Sequence, residues 1–154
     1  MQAGATTSAT AAAEAADIDQ LDRVLHRLVV ADDSKLSPVL DVLLPKLVRK
    51  LNGASPRVRA KVIDVLSHIS KRVRPNPSIT LPCLGLLAVC KDVAARSFAF
   101  NFSLSFLEMG VPRLEPASQG KIAVEIASGV ARLAPYTPAS NILLNLFLVV
   151  LEHL

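Results

Sequence analysis

Apolar residues recur along most of this chain at spacings of three and four, the period of an α-helix, and nowhere in sustained alternation. Ile18, Leu21, Leu25, Leu28 and Val29 share one side of a helix predicted from about Asp17 to Val30. A second is predicted from about Ser37 to Leu51, with Pro45 inside it. Asn52-Gly53-Ala54-Ser55 reads as a stop and a new N-cap. Pro56 then stands at the first helical position, where its missing N–H costs nothing. The third helix runs to about Val73 and gathers Val58, Val62, Val65, Leu66, Ile69 and Val73 on one face. Beyond Arg74-Pro75-Asn76-Pro77, a short helix is predicted over Leu81 to Cys90 and a longer one over Asp92 to Met109. Two more follow, from Pro116 to Leu133 and from Pro138 to Leu154. Connections this short make neighbouring helices antiparallel, so the fold class is all-α.

The pattern within two of these helices says how they stack. Phe98, Phe102 and Phe106 line one face of the Asp92 to Met109 helix, and Val93, Phe100, Leu104 and Leu107 line the opposite one. A helix apolar on opposed faces is sandwiched between neighbours, as in an α-solenoid of helical hairpins. The last segment is apolar nearly all round, relieved mainly by Asn145, Glu152 and His153, and carries no stop signal. The expectation is an N-terminal fragment of a longer array. Leu143, Leu146, Phe147 and Val150 should then include an exposed apolar patch, and the fragment should self-associate.

Composition narrows the class. With 154 residues, 51% of them hydrophobic and 19% charged, the chain can bury a substantial core as one domain or a few repeats. Residues 1–16 are Ala/Thr/Ser-rich with Glu14 as the only charge, and read as a disordered tail; residues 17–154 form the helical region. The tail lacks the basic start of a secretory signal and the arginines of a transit peptide. No apolar run reaches the ~18 residues that a membrane span needs. Two cysteines without a CxxC pair and three scattered histidines support neither a disulfide scaffold nor a metal site.

Charge is unevenly placed. Residues 1–34 carry six acids and two bases, whereas residues 46–74 carry nine bases and only Asp64. This basic segment is the one functional candidate that the residues show by themselves. Lys71, Arg72 and Arg74 cluster at the end of the third helix and are the candidate protein-interaction residues, although cations there also complement the helix dipole. The segment contains no aromatic side chain to stack on bases and no nucleic-acid motif, so it reads first as a solvated face and second as an interaction surface for an acidic protein partner, and no nucleic acid is expected.

Leu43-Leu44-Pro45-Lys46-Leu47-Val48-Arg49-Lys50-Leu51, followed by Ser55-Pro56-Arg57-Val58-Arg59-Ala60-Lys61-Val62, resembles a HEAT repeat. In that family a proline bends the first helix and a Val-Arg pair opens the second. Asn52 departs from the pattern, standing where the family often has an acid. Ser97-Phe98-Ala99-Phe100-Asn101-Phe102 and Met109-Gly110-Val111-Pro112-Arg113-Leu114 then occur in an order similar to the N-terminal region of the Ecm-type family. Members of that family are very large HEAT-repeat proteasome adaptors and scaffolds. The resemblance covers about residues 17 to 135 and implies a non-enzymatic scaffold that ties the proteasome core particle to its regulatory particle. It further implies roles in assembly quality control and localisation, in cytoplasm and nucleus, with no cofactor.

The residues agree with the absence of catalysis. There is no GxxxxGKS/T, GxGxxG after a strand, HExxH or GxSxG. His26, His68 and His153 stand far apart, and Cys83 and Cys90 alone define no metal site. The alternative is another HEAT scaffold, such as a nuclear transport receptor of the importin-β type. Those receptors should be strongly acidic, whereas this chain has a net charge of +4.

Overall fold

The caps read from the sequence are where the chain turns. Gly53 adopts a left-handed φ of 77° after the second helix, and Ser55 Oγ accepts a hydrogen bond from Val58 N at 3.3 Å. The computed structural model describes residues 3–133 and 137–152. Among these are seven helices: α1 (Ala3–Val30), α2 (Leu36–Lys50), α3 (Pro56–Val73), α4 (Cys83–Asp92), α5 (Phe98–Gly110), α6 (Pro116–Leu133) and α7 (Thr137–Leu151). The described residues contain no strand. The expected continuation of the last helix through His153 and Leu154 lies outside the described residues.

Hairpins α2–α3, α4–α5 and α6–α7 stack side by side as an all-α solenoid. One layer is α2, α4 and α6 in succession; in the other, α1 packs along α3 and α5 packs against α7. A single continuous apolar core runs between the layers, and α3 contributes the six residues whose spacing predicted its buried face. Pro45 lies inside α2, and the next hairpin comes close to it at Gly85. A Cβ there would sit 3.0 Å from Pro45 Cγ. The contact at Gly110 is tighter still: a Cβ would meet Cys83 Sγ at 2.8 Å. Glycine therefore lets the end of α5 press against the start of α4.

The structure corrects the sequence reading in four places. Residues 3–16 are the first half of a long helix and not a disordered tail. Alanine is the strongest helix former, and Glu14 and Asp17 hold the helix to the rest of the fold through Arg57 at 3.1 Å and Lys50 at 2.7 Å. Val29, placed on the buried side of α1, is 56% exposed.

The helix expected from Asp92 starts instead at Phe98. Asp92 ends α4, Val93 is extended, Arg96 takes a left-handed φ of 70°, and Ser97 Oγ caps the new helix through Phe100 N at 3.1 Å. Val93 therefore lies outside α5, and the packing of α2, α4 and α7 decides which arc of the helix is covered. Phe106 joins Phe100, Leu104 and Leu107 on one broad buried arc, Phe102 is half-buried, and Phe98 is 51% exposed. The two-sided sandwich is thus one wide face, packed on α2, α4 and α7.

The expected patch on the last helix also moves. Leu143, Leu146 and Val150 are buried and Phe147 is half-buried, while Leu144, Leu148 and Leu151 form an exposed stripe. A helix apolar nearly all round always leaves one stripe uncovered when neighbours take only one side. Periodicity by itself could not say which stripe that would be.

Candidate protein-interaction surface

The basic segment folds against the acidic one. Helix α1 carries most of the acids of the first 34 residues and runs alongside α3. It presents Glu14 to Arg57 and Asp22 to Lys61, and it reaches across to Lys50 of α2 from Asp17. Asp33, just beyond α1, pairs with Arg72, and Asp92 pairs with Arg49 at 2.7 Å. Five of the nine bases are therefore spent inside the chain. Exposed pairs of this kind are worth ~0–1 kcal/mol each, so their larger effect is to cancel the segment's outward field.

Arg72 does more than pair. Its guanidinium donates to the carbonyls of Leu28 and Ala31, the latter at 2.7 Å, as well as to the Asp33 carboxylate. These carbonyls end α1 and have no helical partner of their own. Asn76 Nδ2 adds a 2.9 Å bond to the other Asp33 oxygen. Of the three expected interaction residues, Arg72 is thus turned inward as a clamp between α3 and α1. Lys71 and Arg74 remain exposed, with no ion pair among the described residues.

That division predicts a measurable difference. Arg72→Met should lower the stability of residues 1–154 by about 2 kcal/mol, because two carbonyls and a carboxylate lose a charged donor. Lys71→Met and Arg74→Met should each change it by less than about 0.5 kcal/mol. Urea unfolding followed by circular dichroism checks this; equal effects at the three positions would contradict the clamp.

Two side chains that the sequence reading did not single out complete the region. Arg113 follows α5 and repeats the Arg72 device roughly 40 residues on, a spacing in the range of a HEAT repeat. Its Nη1 donates to the carbonyls of Val73, Asn76 and Ile79 at 3.0, 3.0 and 3.1 Å. The available signal was its place in the Met109 to Leu114 block. Arg59 on α3 donates to the Ala54 carbonyl at 3.2 Å and lies over the Phe98 ring, 5.2 Å from its centroid. A cation over an aromatic face gains from the ring quadrupole and helps hold this exposed phenylalanine in place.

The remaining chemistry-bearing groups do not converge. Cys83 and Cys90 are buried and form no disulfide. Burial, with the Asp41 charge adding to it, pushes the Cys83 thiol up to about 12, so at neutral pH it is a protonated core side chain. His26 is exposed on α1, whereas His68 lies half-buried beside Leu28, Leu36 and Leu40. Among the described residues no three His, Cys, Asp or Glu side chains are grouped to hold a metal ion, and no helix is long and apolar enough to cross a membrane.

Comparison of the sequence with known proteins matches this chain to one family. The model of the N-terminal region of proteasome component ECM29 matches residues 21–154. The human proteasome adapter and scaffold protein ECM29 is 33% identical over 148 residues, covering 96% of this chain and 8% of the human protein. The Drosophila melanogaster proteasome-associated protein ECM29 homolog is 34% identical over 122 residues, 79% of this chain and 6% of that protein. The chain thus spans less than a tenth of the length of these relatives. No solved structure matches it. With a family match that takes in α2 to α7 and α1 from Leu21 onward, this chain belongs to the proteasome component ECM29 family, in its N-terminal region.

Proposed function

We propose that this chain is part of a non-enzymatic proteasome adaptor that links the core and regulatory particles, with roles in assembly quality control and localisation in cytoplasm and nucleus. The observation that carries this reading is the 33–34% identity, over most of the chain, to relatives named for their association with proteasomes. The fold supports it. A solenoid of stacked hairpins, with many of its charges held in clamps and ion pairs and no convergent catalytic group among the described residues, is suited to presenting surface. Family membership also turns the reading away from a transport receptor of the importin-β type.

The test is co-purification of the complete protein with proteasome core and regulatory particles from cells. The unmutated protein should recover both particles. Recovery of neither would sink the assignment, and recovery of only one would remove the linking role. Lys71→Glu/Arg74→Glu is the appropriate charge variant, since reversing Arg72 would break the clamp on α1.

A further inference from the structure

Helices α3 and α5 belong to the same layer yet do not pack closely against each other, unlike α1 along α3 or α5 against α7. The gap is an open groove of about 550 Å³ beside Phe102, edged by Ser67, Ser70, Lys71 and Arg74. One turn before Phe102 on α5 stands the exposed Phe98, with Arg59 of α3 over its ring. Phe102 thus lines the groove while half-buried against the core, and Phe98 stands exposed one turn away on the same helix. The two cations beside Phe102 are members of the basic segment that α1 leaves unpaired, and among the described residues no carboxylate lines the groove.

We propose that the α3–α5 groove is the docking site for an acidic peptide segment of a partner protein, anchored by an apolar side chain against Phe98 and Phe102 and by carboxylates on Lys71 and Arg74. Charge complementarity fixes the sign of the partner. Aromatic floor and cationic edge together fit a short motif in which acids flank an apolar residue. A nucleic-acid strand is the poorer fit, because strand binding needs a continuous track of phosphate contacts and most of the neighbouring bases are already paired within the chain.

This inference rests on the proteasome reading, and the experiment separates the two. The photoreactive residue benzoylphenylalanine replaces Phe98 or Phe102 in the complete protein, which is bound to purified proteasomes, irradiated, and mapped by mass spectrometry. Val42, exposed on α2, serves as a control position. Cross-links from Phe98 and Phe102, but not from Val42, should fall on a proteasome segment with at least two carboxylates close to the linked site. Their yield should drop roughly fivefold or more in Lys71→Glu/Arg74→Glu and on raising salt, since exposed charge contacts are individually weak and screened. Proteasomes that co-sediment without such cross-links overturn the groove alone. So do links confined to this chain or a second copy, links to a segment lacking acids, and competition by a uridine oligonucleotide but not by polyglutamate. Failure of the unmutated protein to co-sediment overturns both the proteasome reading and the proposal built on it.

Discussion

Phe100→Ala or Phe106→Ala is expected to destabilise residues 1–154 by roughly 3–5 kcal/mol, the cost of emptying a fully buried aromatic site. Both rings are 1% exposed, and they lie on the arc of α5 that meets α2, α4 and α7. A cavity there weakens two hairpin contacts at once. Phe102→Ala should cost less, about 1–2 kcal/mol, because part of its ring faces the groove rather than the core. Phe98→Ala should cost under about 1 kcal/mol, the value of an exposed cation–π contact with Arg59. Urea unfolding of the four variants under identical conditions decides the order. Equal losses across the series would mean that α5 is buried on both sides after all, and a loss below about 1 kcal/mol at Phe100 would contradict the packing described here.

Arg113→Met should lower stability by about 3 kcal/mol. The substitution keeps most of the side chain's apolar bulk but leaves the carbonyls of Val73, Asn76 and Ile79 without their common donor. These groups lie where α3 ends and the chain crosses to α4, so the loss should be greatest for that crossing. Hydrogen exchange should locate it, with protection falling first around residues 73–81 and only slightly in α6. A Lys at the same position should restore part of the loss, because an ammonium offers three donors from a shorter stem without the planar fork. Full stability in Arg113→Met would show that water serves these carbonyls as well as the guanidinium does.

The helices themselves were legible because their signals are local. Asn52-Gly53 followed by Ser55-Pro56 marks a stop and a start through backbone preferences that act within a few residues, and α3's six buried positions follow from one helical period. The break between α4 and α5 was not legible in the same way. No proline or glycine stands between Val93 and Ser97; the turn is made by Arg96 in a left-handed conformation, one that few side chains adopt without tertiary support. Reading the pattern across that break put Val93 on a face of a helix that it does not join and Phe98 on a face that is exposed. The burial of Phe106 and the exposure of Phe98 follow instead from which arc of α5 meets α2, α4 and α7.

By itself, then, the sequence determined the helical segments, most of their caps, the buried face of α3 and the concentration of bases between Lys46 and Arg74. It also carried the blocks by which the chain resembles its family. Only the tertiary structure decided which of those bases are available. Whether a cation faces solvent or a carboxylate depends on what the fold lays beside it, and α1 with the turn after it brings Glu14, Asp22 and Asp33 to residues some 40 positions away. Arg72 and Arg74 look alike in the sequence; one closes the end of α1 and the other edges a groove. The phenylalanines of α5 obey the same rule, since an apolar side chain gives the same signal whether it fills the core or lines a gap between two helices that do not quite meet.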